Sequence, residues 1–323
     1  MARRISLGLF LFLTAALFHP AYPRQAPFAA ILGIAQDAGY PHAGCRKECC
    51  LMAWKNPSRR RMVSSLAIVD PATHERWIID ATPDFTSQLK LLEVIHPSRS
   101  GQAGTGGSIA STLGVTGIVL THAHIGHYTG LIFLGREAIG AMNVPVYAMP
   151  RMWEFLRTNG PWSQLVTLNN IDLRPLEQGV SVKLNERISI TPLLVPHRDE
   201  YSETIGVIIQ GPNASLLFIP DIDKWEKWET RIEDLIARVD YALLDGTFFE
   251  DGEIPGRSMS EIPHPFITET LRRITPLPSS TRKKVTFIHL NHTNPALNEE
   301  GNANRQIETA GSRVAREGEK FGL

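Results

Sequence analysis

Residues 115–127 read VTGIVLTHAHIGH, an apolar run that is followed at once by a cluster of histidines. The run predicts a buried strand, and Gly126 predicts a bend into the next element. Alternate residues at a strand end point the same way, so we expect His122 and His124 about 6–7 Å apart on one face. His127 falls in the first turn of the following element. The cluster therefore predicts a metal site with imidazole ligands.

Three later segments also read as strands, and each leads into a potential ligand. In open sheets flanked by helices, sites form beyond the carboxyl ends of strands, so we expect these ligands to converge on the histidine cluster. Zn²⁺ accepts imidazole nitrogen and carboxylate oxygen, and Fe²⁺ or Mn²⁺ would be alternatives. The segments are 188–195 before His197, 216–219 before Asp221, and 285–288 before His289.

Composition limits the class of protein. The 323 residues are 43% hydrophobic, and 33 Lys and Arg balance 33 Asp and Glu. A neutral chain lacks the basic surface expected of proteins that bind nucleic acids or membrane surfaces, so a small-molecule substrate is predicted instead. The basic run 59–61 is interpreted as a solvated loop.

The N-terminus resembles a targeting segment. Arg3 and Arg4 precede an apolar stretch over 5–18, which is the length of a signal-peptide core. We interpret residues 1–25 as a signal peptide and expect an exported protein, periplasmic or extracellular, or one anchored by this segment if it is not cleaved. No other apolar run approaches the roughly 20 residues of a membrane span.

The remaining residues, 27–323, are expected to form a single domain in which strands and helices alternate. The Ser- and Gly-rich stretch 97–114 predicts a flexible loop. Hydrophobic periodicity predicts further strands and helices around it. The predicted strands are 29–34, 65–70, 77–80, 144–148 and 241–244, and the predicted helices are 84–95, 128–139, 151–159 and 267–274.

This order of residues resembles the metallo-β-lactamase-fold superfamily. More narrowly, segments 33–50, 245–249 and 289–295 resemble the pyrroloquinoline quinone biosynthesis protein B family and the cyclic ribose phosphodiesterase branch. The resemblance implies an α/β, four-layered αββα sandwich with a metal site at one edge. It implies that one ion is held by His122, His124 and His197 and a second by His127, Asp221 and His289. Asp221 would bridge the ions, and Asp80 would order the loop that carries the cluster.

Two departures from these families bear on the site. The superfamily usually has Asp where this chain has Gly126, and glycine offers no ligand. This predicts a weaker second metal position or a centre with one ion. The quinone-biosynthesis family often lacks the first two histidines, whereas this chain keeps His122 and His124. In its metal ligands the chain therefore resembles the hydrolases more than the quinone-biosynthesis proteins.

All three cysteines of the chain, Cys45, Cys49 and Cys50, lie within six residues of one another. The phosphodiesterase branch has three cysteines in a window of this span, and they bind a structural zinc. The resemblance implies that His292 is the fourth ligand, and His42 is the alternative. In an exported chain the same cysteines would favour a disulfide between Cys45 and one neighbour, with one spare thiol.

The sequence leads to a functional hypothesis with two alternatives. His264 precedes the predicted helix 267–274, and the resemblance implies a general acid or phosphate contact, although it could equally cap the helix. Asp245, after a predicted strand, would support the site. The leading hypothesis is a phosphodiesterase-like hydrolase that uses a metal-activated water, with catalytic roles for Asp221 and His264. The alternatives are an iron- and dioxygen-dependent oxidoreductase and a non-catalytic metal-binding protein.

Overall fold

Two seven-stranded sheets form the centre of the molecule in a computed structural model, which describes residues 25–98 and 113–323. The first sheet has the strand order β14-β1-β2-β3-β4-β5-β6, and the second has the order β13-β12-β11-β10-β9-β8-β7. The strands are β1 Phe28–Gly33, β2 Ser65–Asp70, β3 Glu75–Ile79, β4 Gly117–Val119, β5 Val144–Ala148, β6 Ile171–Pro175, β7 Val182–Lys183, β8 Ser189–Leu194, β9 Ile205–Gln210, β10 Ser215–Ile219, β11 Tyr241–Asp245, β12 Val285–Ile288, β13 Arg313–Val314 and β14 Lys320–Gly322.

Helices cover the outer faces of the sheets. One apolar core joins the facing sheets to the helices on the second sheet, and it includes Ile68 and Phe218. A separate core, which includes Ile78 and Phe85, joins the first sheet to its own helices. This arrangement confirms the predicted αββα sandwich. The helices are α1 Glu48–Lys55, α2 Phe85–Ile95, α3 Ile125–Tyr128, α4 Pro150–Thr158, α5 Trp162–Thr167, α6 Ile232–Arg238, α7 Ile267–Ile274, α8 Ser279–Arg282 and α9 Asn302–Thr309.

The direction of the strands places the site. In the first sheet β3, β4, β5 and β6 are mutually parallel, and in the second β10, β11, β12 and β13 are. The carboxyl ends of parallel strands meet at one edge, so the residues after β3, β4, β10 and β12 gather there. Asp80 and His289 follow β3 and β12 with φ values of 69° and 66°. Non-glycine residues rarely adopt this backbone conformation, and it is concentrated at functional sites.

The predicted helix over 128–139 is wrong. The chain forms the short helix α3 and then a 3₁₀ segment, Thr129–Leu134. Gly130 explains the difference, because a Cβ atom at this position would lie 2.2 Å from the carbonyl oxygen of Thr82. Close packing on that loop, together with the low helix propensity of glycine, interrupts the helix.

Two sequence predictions fall largely outside the described residues. The signal segment 1–25 overlaps them only at Gln25, and the predicted loop 97–114 overlaps them only at its ends. Among the described residues, every helix is too short or too polar to span a bilayer.

Candidate metal centre

Four of the predicted ligands form one cluster at the edge of the sheets. Ligand atoms of His122, His124, His197 and Asp221 all lie within 4.8 Å of one another. Nε2 of His122 is 2.9 Å from Nδ1 of His124 and 3.4 Å from Oδ2 of Asp221. Nε2 of His197 is 3.3 Å from the same oxygen. Three imidazole nitrogens and one carboxylate oxygen therefore face a common point.

A second cluster adjoins the first and contains a residue that the sequence analysis missed. It consists of Asp37, His127 and His289. Oδ1 of Asp37 lies 3.3 Å from Nε2 of His127 and 3.9 Å from Nε2 of His289. The rings of His122 and His127 are 4.1 Å apart, which makes the two clusters neighbours. Asp37 lies with His127 and His289, where the resemblance had placed Asp221. Asp221 lies with the histidines of the first cluster.

Polar partners orient each ring of the first cluster. The Thr121 hydroxyl lies 2.9 Å from the Asp80 carboxylate and 3.0 Å from Nδ1 of His122. A carboxylate only accepts, so the hydroxyl donates to Asp80 and accepts from Nδ1, and Nε2 of His122 keeps its lone pair. Glu200 contacts Nε2 of His124 at 3.0 Å. The opposite nitrogen of each ring is left to face the cluster.

The same arrangement recurs at the remaining rings. Nδ1 of His197 is 3.1 Å from a carboxylate oxygen of Asp223. Nδ1 of His289 is 2.9 Å from the Thr247 hydroxyl, which donates to Asp245 at 2.7 Å. Nε2 of both rings therefore keeps a lone pair that faces its cluster. Carboxylates that accept from an imidazole in this way are the usual outer partners of metal-bound histidines.

The donor set fits a divalent transition-metal ion. Within the two described ranges, Nε2 of His127, His197 and His289 and Oδ1 of Asp37 are buried and make no hydrogen bond. Leaving such atoms without a partner is costly, and a cation in each cluster would satisfy them. Burial opposes charge on Asp37, but its contacts with His127 and His289 outweigh this and lower its pKa well below the usual range. The carboxylate is thus anionic.

His264, for which both a role in the reaction and a helix-capping role were open, lies beside the first cluster. It is buried, and its Nδ1 is 2.9 Å from Asp245 and 3.2 Å from Asp221. Although burial opposes a charged ring, the Asp245 and Asp221 carboxylates raise the pKa of His264 well above its usual value. Asp245 also accepts from the backbone N–H of Ile222 at 3.1 Å. Asp245 therefore fixes both His264 and the chain that follows Asp221.

The cysteines form a separate cluster with His292. Ligand atoms of Cys45, Cys49, Cys50 and His292 lie within 4.8 Å of one another, and all three cysteines are free thiols. The sulfur atoms of Cys45 and Cys49 are 3.8 Å apart, close to the roughly 3.8 Å separation of two thiolates on one tetrahedral zinc. Burial and the nearby His42 lower the pKa of His292 to about 4, so this ring is neutral and can bind a metal.

His42 has a different environment. Its ring packs against His292 in a tilted arrangement with centroids 4.3 Å apart, and its Nδ1 contacts the carbonyl oxygen of Ala43 at 2.8 Å. It is not a member of the cysteine cluster. The geometry therefore favours His292 over the alternative fourth ligand.

Comparison with known proteins agrees with this fold. A sequence profile described as a beta-lactamase superfamily domain matches residues 75–290, more than half of the chain. Coenzyme PQQ synthesis protein B of Nitrosococcus oceani is 26% identical over 318 residues, covering 89% of this chain and 97% of the relative. The predicted resemblance to this family is therefore confirmed.

Solved structures show the same fold. Zn²⁺-bound PqqB from Methylobacterium extorquens superposes with a TM-score of 0.75 at 23% identity, covering 92% of this chain and 100% of the other. A diphosphatase from the PhnP family superposes with a TM-score of 0.61 at 21% identity, covering 92% and 98%. At these identities the superpositions show that the fold is shared.

These relatives also correct one prediction. The chain was expected to be exported, or anchored through its N-terminal segment, because residues 1–25 resemble a signal peptide. The relatives that match 89% of the chain are named as coenzyme synthesis proteins, and this biosynthetic role overturns the export prediction. An apolar run after two arginines is too weak a pattern to decide the destination of a protein. From the matched profile and the shared fold, the chain belongs to the beta-lactamase superfamily.

Proposed function

We propose that the protein is a metal-dependent hydrolase of a phosphodiester or related ester, with zinc as the active-site metal. The observation that carries the proposal is the pair of adjoining clusters, whose rings are 4.1 Å apart at His122 and His127. Hydrolases with two metal ions about 3.5–4 Å apart use them to stabilise the attacking and leaving oxygens of a displacement. The chain keeps His122 and His124, which the quinone-biosynthesis family often lacks, and this favours hydrolysis.

The side chains around the clusters have distinct roles in this proposal. A bound divalent ion supplies Lewis acidity, which lowers the pKa of water and polarises the ester. Asp221 accepts a hydrogen bond from the attacking water and orients it. His264 donates through Nδ1 to Asp245 at 2.9 Å, so its Nε2 remains to pass a proton to the leaving oxygen. The His264 ring also contributes a hydrogen-bond donor for an anionic ester.

A cavity beside the second cluster suits a small anionic substrate. It has a volume of about 510 Å³ and is lined by Asp37, Ile125, Trp54, Arg60 and Arg61, among others. The guanidinium of Arg60 lies 6.0 Å from the centre of the Trp54 ring. An aromatic face and cationic groups next to the clusters would attract and position a phosphate ester. In this proposal, Arg60 and Arg61 of the basic run contribute to substrate binding.

The test combines metal analysis with turnover. Protein purified without added metal should contain zinc in the histidine clusters and should hydrolyse bis-p-nitrophenyl phosphate. His124→Ala removes a ligand and should reduce turnover by at least about 100-fold. This is the lower end of the range for losing a side chain that transfers a proton in the reaction. His96→Ala, a histidine far from the clusters, is the matched control and should keep full activity. Undiminished turnover in His124→Ala would refute the proposal.

One observation favours a second candidate, an iron- and dioxygen-dependent oxidoreductase. Asp37, His127 and His289 form a set of two histidines and one carboxylate, and such sets with open positions are typical of non-haem iron oxygenases. The name of the relatives, coenzyme PQQ synthesis protein B, agrees with a biosynthetic role. Iron in the purified protein with oxygen consumption would establish this candidate, and metal without turnover on either assay would indicate a non-catalytic metal-binding protein.

A further inference from the structure

We propose that Asp37 is the carboxylate ligand of the second metal position and replaces the side chain that Gly126 lacks. The two residues compete for one volume. A Cβ atom built on Gly126 would lie 2.2 Å from Oδ1 of Asp37 and 2.6 Å from its Cα atom. The φ angle of Gly126 lies outside the left-handed region, so the backbone does not require glycine here. Glycine is required because Asp37 occupies the space.

The Asp37 carboxylate lies beside two imidazoles that could bind the same cation. Its Oδ1 is 3.3 Å from Nε2 of His127, a ring with no exposed surface. The side chain of His289 is equally buried, and its Nε2 lies 3.9 Å from the same oxygen. Within the described ranges these three atoms make no hydrogen bond. One ion at this point would satisfy two imidazoles and the carboxylate together.

Backbone hydrogen bonds hold Asp37 in this place. The N–H of Gln36 donates to the carbonyl of Leu290 at 2.9 Å, directly beside the ligand His289. On the other side of Asp37, the N–H of Tyr40 donates to the carbonyl oxygen of Arg61 at 3.0 Å. The loop is therefore fixed on both sides, as a preorganised ligand requires. These bonds hold the backbone of the loop, and the Asp37 side chain lies against His127 and His289.

The inference rests on the proposed metal centre but not on the reaction. The test measures metal content by mass spectrometry and affinity by Co²⁺ titration, followed by absorption. Asp37→Asn preserves the shape of the side chain and removes its charge. The variant should lose one ion per chain or bind it at least about 10-fold more weakly. Even the loss of a residue that only supports a ligand weakens metal binding by about this factor. Asp84→Asn is the matched control, because Asp84 borders the same cavity and accepts from the N–H of Val63.

A reciprocal exchange tests the replacement itself. Gly126→Asp alone should lower the melting temperature, because its side chain collides with Asp37. Combining it with Asp37→Gly removes the collision with the Asp37 side chain, and only the 2.6 Å contact with the Cα atom of residue 37 is left for a shift of the backbone to relieve. The double variant should recover the ion that Asp37→Gly alone loses. Recovery of this kind supports the inference, and failure of a folded double variant to recover the ion would contradict it.

The outcomes separate this inference from the proposed function. If Asp37→Asn keeps the full metal content and affinity, Asp37 is not a ligand, whether or not the enzyme hydrolyses esters. If Asp37→Asn loses one ion while the wild type shows no hydrolysis, the ligand assignment stands and the proposed reaction is wrong. If the double variant does not fold, Asp37→Asn and its control decide the question.

Discussion

The Asp80 carboxylate contacts Nδ1 of His127 at 2.7 Å in a fully buried pair. The other carboxylate oxygen accepts from the backbone N–H of Thr121 at 2.8 Å. Asp80 thus keeps a hydrogen on Nδ1 and leaves Nε2 of His127 directed at Asp37.

We expect Asp80→Asn to weaken the second metal position by about 10–100-fold. The amide oxygen would keep the bond from Thr121, so the amide N–H₂ would face Nδ1 of His127. That ring would then carry its hydrogen on Nε2, which points at the metal position. Co²⁺ titration measures the affinity, and Asp240→Asn, on an exposed residue, is the control. Equal affinities in both variants would contradict the role of Asp80.

His264→Ala should reduce turnover without changing metal content. A general acid matters most when the leaving group is a poor one, so we expect a loss of about 10²–10⁴-fold for an alkyl phosphodiester. For a p-nitrophenyl ester, whose leaving group needs no proton, the loss should be within about 10-fold. Comparing kcat for the two substrates checks the role. Equal losses for both would indicate that His264 binds or positions the substrate instead.

His292→Ala should remove one metal ion per chain, since the ring completes the set of Cys45, Cys49 and Cys50. Metal binding at such a site contributes to folding, so the melting temperature should fall by on the order of 5–10 °C. The control is His42→Ala, because His42 packs against His292 but lies outside the cluster. An unchanged metal content in His292→Ala would exclude the predicted structural zinc.

Glu317 should make the folding stability depend on pH. Burial raises the pKa of its carboxyl to about 7, although the N–H of Met62 donates to it at 2.6 Å. The native protein then binds more protons than the unfolded chain between pH 4.5 and 7, so the free energy of unfolding falls as pH rises through this range. Glu317→Gln should lack this fall. Urea unfolding of both proteins at pH 5 and pH 8 measures it, and a stability difference that is independent of pH would contradict the assignment.

Much of the fold and of the first cluster could be predicted from the sequence. The strands before His197, Asp221 and His289 are short apolar runs, and the rule that ligands follow strand ends is general for layered α/β folds. The structure accordingly brings these residues to one edge. The cluster after β4 was visible for the same reason, because three histidines rarely follow a buried strand by chance.

Other members of the site could not be recognised so easily. Asp37 lies 85 residues before His122, in a loop without periodicity, and a lone Asp after a strand is common. The same rule applied to the predicted strand 29–34 would have marked it as a candidate. Asp223 and Glu200 hold the rings of His197 and His124 through contacts that only the folded chain creates. Their sequence context carries no signal.

The bond from Gln36 to Leu290 has a consequence for how the protein matures. It joins the segment of Asp37 to a residue that is made more than 250 positions later. During synthesis, the second cluster cannot assemble until the chain beyond residue 290 has left the ribosome. Metal uptake at this position would therefore report that the two ends of the domain have docked. A nascent chain that has not reached residue 290, or a fragment limited to residues 75–290, would lack that ion.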